Sequence, residues 1–333
     1  MLKSGMKWMF LIIGTTIGAG YASGRELWEF FGPGSEIAII LFVICFSIAT
    51  FAIMNISFRR QTTDYRPVLE EIVGKRFVVF YDGMIFLYLY TTTVVMLAGS
   101  GATGQVYHLP YGFGVIFLAI VLIMLFYNGI HNTLMINLVL IPILIIALVY
   151  VLILFSIDEQ ISFLSQWTYQ DNWLAAFPFT ALNIFPLIAV LGAIGQHIQS
   201  EGEIWLASLG SALILGIISY LYNNSLIHIS HELNFNEIPL FVILKRYSIS
   251  MNISMSILLW FAILTTAAAG MIGIVSRIRR HTSLETGVIV SLALCTIIPM
   301  TAIGFGPLIH YTYPVYGILN LYVLTRLLFY RST

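Results

Sequence analysis

The chain has 333 residues, of which 59% are hydrophobic and 9% charged, so it lacks the polar surface that a soluble globule of this size needs. Lysine plus arginine and aspartate plus glutamate balance at 15 each, which removes the electrostatic case for nucleic-acid binding. This is the composition of a polytopic protein lodged in a lipid bilayer, and its two cysteines, Cys45 and Cys295, fall in apolar runs as packing residues.

MLKSGMK, WMFLIIGTTIG and AGYASG mimic the basic, apolar and small-residue regions of a signal peptide. Gly14 and Gly18 interrupt the apolar region, and the stretch reads instead as a retained first span. Segments able to cross ~30 Å of hydrocarbon lie at 6–31, 35–57, 77–103, 112–127, 134–155, 173–198, 204–223, 250–276, 284–301 and 306–330. The fold class predicted is all-α and polytopic, with ten transmembrane helices in one transmembrane domain, 1–333. Threading them alternately gathers Lys3, Lys7, Arg59, Arg60, Arg66, Lys75, Arg76, Arg277, Arg279, Arg280, Arg326 and Arg331 on one side. By the positive-inside rule that side is the cytoplasm, with both termini there and the chain in the plasma (inner) membrane.

Between the second and third spans, TTDYRPVLEEIVGKR reads as an amphipathic cytoplasmic helix. The loop at 156–172 carries acids and no basic residue, as an outer loop can. EIPLFVILKRYS, after the seventh span, is too short to cross and reads as a re-entrant or surface helix on the outer face. It leaves Lys245 and Arg246 as exceptions to the charge rule.

Spans one to five (6–155) and six to ten (173–330) form two halves, each opening with an interrupted helix. The first is broken by GTTIGAGYASG and the sixth by Pro178 and Pro186, with Asn183 between them. Five is odd, so the second half enters from the opposite side, giving an inverted 5+5 repeat whose paired interruptions point to a binding site. Gly14-xxx-Gly18 and Gly20-xxx-Gly24 also fit close helix packing. Gly18 and Gly20, however, lie on different faces, and unwound backbone at membrane depth is tolerated only where it lines a cavity or is buried in protein.

GTTIGAGYASGR resembles the first-helix motif of the amino acid–polyamine–organocation superfamily, and its spacing is similar to that of the neurotransmitter:sodium symporters, which share the LeuT fold. The resemblance covers the ten-helix plan over nearly the whole chain, with motif-level support in helices one and eight. It implies one sodium ion between those helices. In WFAILTTAAAGMIG, Ala262 would supply a carbonyl and Thr265 and Thr266 hydroxyls, while Gly14 and Ile17 would supply the partner carbonyls. Oxygen ligands suit a hard cation. Residues 134–155 contain no lysine of the kind that substitutes for this ion in proton-coupled members. Three departures stand out: Gly24 replaces a bulkier residue, Arg25 falls one position later than the family's gating arginine, and Tyr21 replaces the asparagine that helps hold a second ion. The chain is also similar to a group of bacterial permease-like membrane proteins of the YkvI type, a likeness that supplies no substrate.

A midplane cavity would be lined by Thr15, Thr16, Gly18, Ala19, Gly20 and Tyr21 of helix one and by Thr180, Asn183 and Phe185 of helix six. Helix three adds Tyr88, Thr91 and Thr92, where the family places a tyrosine hydroxyl on the substrate carboxylate. The outer half of helix one begins with exposed N–H groups and a positive dipole end, which favours an amino-acid-like or organic-anion solute. Arg25, with His310 and Tyr313 of IHYTYPVY, forms a candidate outer gate, although Arg25 could equally snorkel or pair with Glu29. Asp82 could carry a proton or simply pair with interfacial cations. His228-Ile-Ser-His231-Glu232 is not the zincin order and falls in a polar loop.

No Walker loop, nucleophile elbow or Cys-x-x-Cys occurs, and no acid, base and nucleophile converge at one depth, so the chain does not read as an enzyme. The function predicted is secondary active transport of a small solute by alternating access, with Na+ as the coupling ion and no other cofactor. The partners implied are the solute and the bilayer, with no protein partner indicated. The alternatives are a permease-shaped ligand-sensing receptor subunit and a proton-coupled amino acid permease.

Overall fold

A computed structural model describes residues 2–128, 133–162, 170–233, 236–279 and 282–330. Arg280, Arg331 and residues 163–169 of the acidic loop lie outside the described residues. Within them the chain is all-helical: α1 (Leu2–Thr16), α2 (Ala19–Ala22), α3 (Arg25–Phe30), α4 (Glu36–Arg60), α5 (Arg66–Val73), α6 (Val78–Gln105), α7 (Tyr111–Asn128), α8 (Thr133–Asp158), α9 (Ala176–Gly192), α10 (Glu201–His228), α11 (Ser230–Leu233), α12 (Pro239–Leu244), α13 (Ile249–Arg279), α14 (Thr286–Met300), α15 (Phe305–Leu319) and α16 (Leu321–Leu328). Seven helical stretches among the described residues are long and apolar enough to cross a membrane, and Tyr111–Tyr127 is a shorter apolar one.

α1 packs on α10, α8 and α9, and α13 packs along α6, so the broken segment α1–α3 is enclosed by continuous helices. That enclosure matters because helix ends inside a bilayer must find partners within the protein. The Tyr222 hydroxyl donates to the Ala22 carbonyl at 2.6 Å, the Leu240 N–H donates to the Ser23 carbonyl at 2.9 Å, and Asn223 clamps both the N–H and the carbonyl of Gly32. At Gly24 the backbone is left-handed, with φ of 80°, and a Cβ there would stand 2.7 Å from the Tyr222 ring. Glycine alone meets both demands, the conformation and the space.

The sixth segment differs from expectation. α9 runs unbroken from Ala176 to Gly192, straight through Pro178 and Pro186. Pro178 lies in the first turn, where a missing N–H costs nothing, and Pro186 removes a single intrahelical bond that a surrounded membrane helix tolerates. The helix gives way after Gly192 instead, into a short turn of 3-10 helix at Gly195–His197. Thr62 donates to the Gly192 carbonyl at 2.6 Å, and a Cβ on Gly195 would collide with the Ser57 carbonyl at 2.2 Å. Close packing on the α4–α5 connection thus fixes where the helix ends.

The short amphipathic helix is α5, which buries Val68, Leu69, Ile72 and Val73. α12 is buried along its whole length, so EIPLFVIL enters the protein and does not lie on its surface. Arg246, just beyond it, pairs with Glu159 and approaches Glu232 at 3.7 Å, so this exception to the charge rule is locally neutralised. Arg246 and His228 beside Glu159 hold its carboxyl below the usual glutamate range.

Candidate functional site

The backbone opens where the glycines cluster. The Ile17 N–H still reaches the Ile13 carbonyl at 2.7 Å, but the Gly18 N–H turns back to the Thr16 carbonyl at 2.9 Å, and Gly18 itself is extended at φ −93° and ψ −169°. Regular winding resumes at Ala19. No backbone hydrogen bond of the described residues therefore ends on the carbonyls of Gly14, Thr15 or Ile17. Three acceptors are free in the middle of a helix-packed interior, where an unsatisfied polar group costs several kcal/mol in the absence of water.

Across from the opening, α13 packs on α2. A Cβ on Gly18 would lie 3.4 Å from the Thr266 methyl and 3.7 Å from its hydroxyl. The Thr265 hydroxyl donates to the Ala262 carbonyl at 3.2 Å, so these two oxygens of α13 already sit side by side. Neutral oxygens of this kind suit a hard monovalent cation, and no group of three His, Cys, Asp or Glu able to hold a metal ion occurs among the described residues.

A cavity of about 720 Å³ runs along the break. Its lining follows four stretches: Lys7 to Gly18 along α1 and the break, Ala193 back to Asn183 along the end of α9, Ile85 to Met96 on α6, and Arg277 back to Thr265 on α13. One end is therefore the basic end of the bundle, near Lys7, Tyr65 and Arg277. There Arg277 pairs with Asp82 at 2.6 Å, and the Tyr65 hydroxyl donates to the same carboxylate. Asp82 is thus an ion-pair partner at the mouth. The other end, the head, is formed by Glu26, Asn183, Tyr88 and Tyr313.

Of the residues that the sequence nominates for the solute, Thr15, Thr16, Gly18, Tyr88, Thr92 and Asn183 line this cavity. The others stand apart from it for identifiable reasons. Tyr21 is fully buried and bonds the Leu215 carbonyl and the Ser219 hydroxyl, both at 2.7 Å, on the α10 side. Thr91 shares a 2.8 Å hydrogen bond with the Tyr316 hydroxyl, and Thr180 bonds back to the Ala176 carbonyl at 2.6 Å. Phe185 is a core ring whose neighbours are Tyr88 and Tyr81. Ala19 packs near Gly99, and Gly20 lies beneath the Glu26 carboxylate and the Tyr313 ring.

The gate residues separate as well. Arg25 lies along Gly306 of α15, with its buried Nε lacking a hydrogen-bond partner. His310 pairs with Glu29 rather than with Arg25. Tyr313 faces the cavity head.

Glu26 is the residue that sequence reasoning missed. It is 5% exposed, and its Oε1 accepts a hydrogen bond from Asn183 Nδ2 at 3.1 Å. The available signal was an acid at membrane depth two residues after the last glycine of the run.

No family model matches the chain. It is 42% identical over 328 residues to the uncharacterized protein YyaD of Bacillus subtilis (strain 168), covering 98% of this chain and 97% of that one. It is 23% identical over 329 residues to the uncharacterized membrane protein YkvI of the same strain, covering 96% and 94%. Among solved structures it is similar to a sodium-coupled sialic acid symporter in a substrate-bound outward-open state (TM-score 0.65, 11% identity, 95% of this chain and 75% of that one). It is similar to MhsT in complex with L-phenylalanine (TM-score 0.65, 14% identity, 95% and 85%). It is similar also to Mhp1, a nucleobase-cation-symport-1 family transporter in a closed conformation (TM-score 0.51, 15% identity, 89% and 71%). The architecture is the LeuT fold of sodium-coupled symporters.

Proposed function

We propose that this chain, which belongs to the family of the Bacillus subtilis protein YyaD and is built on the LeuT fold, is a sodium-coupled secondary transporter of a small amino-acid-like solute. The observation that carries the reading is the set of freed carbonyls at Gly14 and Ile17, on a break packed against the helix of Thr265 and Thr266. Those oxygens and the Ala262 carbonyl would hold the ion, and the adjoining cavity would hold the solute. In this reading ten spans form an inverted 5+5 repeat, residues 6–155 and 173–330, and rock about the break. The positive-inside rule assigns the basic end to the cytoplasm of a plasma-membrane protein, and the cavity then opens inward. At the opposite end, α12 and the Tyr222 ring pack over residues 22–24.

Uptake into proteoliposomes tests the coupling. The reading predicts accumulation of radiolabelled amino acid driven by an inward sodium gradient and lost in Thr265→Ala/Thr266→Ala. Uptake that proceeds equally with potassium, and is unchanged in the variant, contradicts it.

A further inference from the structure

We propose that Glu26 selects the solute by taking an ammonium group on its carboxylate, so that the cavity admits amines and zwitterions and rejects plain organic anions. This deepens the transporter reading and rests on it.

Glu26 lacks a charge partner among the described residues. Glu26 is the second residue of α3, two positions after the left-handed turn at Gly24, and its Oε2 lies 2.9 Å from where a Cβ on Gly20 would be. The carboxylate therefore rests on bare backbone at the head of the cavity. Its single hydrogen bond among the described residues is the one from Asn183. No nitrogen of lysine, arginine or histidine comes within 4.0 Å of it among the described residues. No other cation supplies a partner, and Arg25 itself forms no ion pair among the described residues. Arg25 lies along Gly306, His310 is on Glu29, and Lys7 and Arg277 stand at the far mouth.

A buried carboxylate with one neutral donor is costly unless a positive charge completes it. The surroundings suit an ammonium group. The Tyr88 and Tyr313 side chains flank the site and Asn183 orients the carboxylate, while ring faces and carboxylate oxygens both attract a cation with several N–H donors. The same geometry argues against an anion. The helix start at Ala19 that would have favoured a solute carboxylate already has the protein's own carboxylate over it, Glu26 Oε2 lying against Gly20.

The test uses purified protein in detergent and three probes that share one 3-methylbutyl group and differ in the polar head: 3-methylbutylammonium, 3-methylbutan-1-ol and 4-methylpentanoate. Each is titrated against the melting temperature of wild type, Glu26→Gln and Glu26→Asp, in sodium and in choline chloride. The ammonium probe is expected to stabilise wild type at concentrations at least about tenfold lower than the alcohol or the carboxylate, with that preference lost in Glu26→Gln and partly kept in Glu26→Asp. Sodium stabilisation that persists in Glu26→Gln reports an intact fold.

Four results overturn the proposal: no stabilisation of wild type by the ammonium probe, an equal response in Glu26→Gln, a preference for the carboxylate, or loss of sodium stabilisation in a monodisperse Glu26→Gln, which would move the ion to Glu26. A pH response of wild type that Glu26→Gln removes, without any response to the ammonium probe, would assign the carboxylate to a proton and also overturns it. Failure with the probes while sodium still stabilises wild type counts against Glu26 alone. Absence of any sodium effect counts against the transporter reading.

Discussion

Glycine opens the chain between Ile17 and Gly24, whereas proline leaves α9 continuous from Ala176 to Gly192. Both segments lie in the interior, and both contain residues that disfavour helix. The difference is in what the neighbours require. At Gly18 and Gly24 the backbone leaves helical geometry; α10 and α12 supply partners for the groups set free at Gly24, and at Gly18 the proposed ion would complete the carbonyls of Gly14 and Ile17. At Pro186 only one N–H is missing, and Asn183 bonds back to the Phe179 carbonyl within an otherwise regular helix. A break needs surroundings that satisfy the altered backbone, and a breaker residue without them is absorbed.

The largest effect that would test this comparison is expected at Gly24. Gly24→Ala places a Cβ in a left-handed conformation and 2.7 Å from Tyr222, so it should lower stability by about 2–4 kcal/mol, read from unfolding in mixed micelles. A neutral result would mean that the turn is not held as described. Gly20→Ala is expected to cost about 1–3 kcal/mol, because its Cβ would press on Glu26 and Tyr313, and to weaken binding of the ammonium probe while sparing sodium.

Pro186→Ala should change stability by less than about 1 kcal/mol, well under the ~3 kcal/mol of a proline inside a soluble helix, since the helix already passes through that position. A large gain would show that α9 is strained there.

The same contrast explains what could be read from the sequence. The opening of the first helix was legible because a dense glycine run is a local pattern, whereas Thr265 and Thr266 stand out only through the family resemblance, since hydroxyls in a membrane helix commonly bond back to their own helix. The uninterrupted course of α9 was not, because a proline's effect depends on which turn it occupies and on what surrounds it. Thr91, Thr180 and Tyr21 looked like cavity residues by depth, but their hydroxyls are committed to Tyr316, Ala176 and α10, which depth alone does not reveal. Glu26 required the reverse inference. Its carboxylate stands at the cavity head because the left-handed Gly24, two residues before it, redirects the chain, a change of direction that helical periodicity does not encode.

In the proposed function, the opened first helix and α13 hold one sodium ion between them. The most direct measurement is the sodium-specific rise in melting temperature of the purified protein, compared with equal potassium and choline, for wild type and for Thr265→Ala/Thr266→Ala. Sodium alone is expected to stabilise wild type, by about 2–3 kcal/mol near a hundredfold excess over the dissociation constant, and the effect is expected to be lost in a monodisperse double variant. A sodium shift of equal size in both proteins, or none in wild type, would contradict a sodium ion held there.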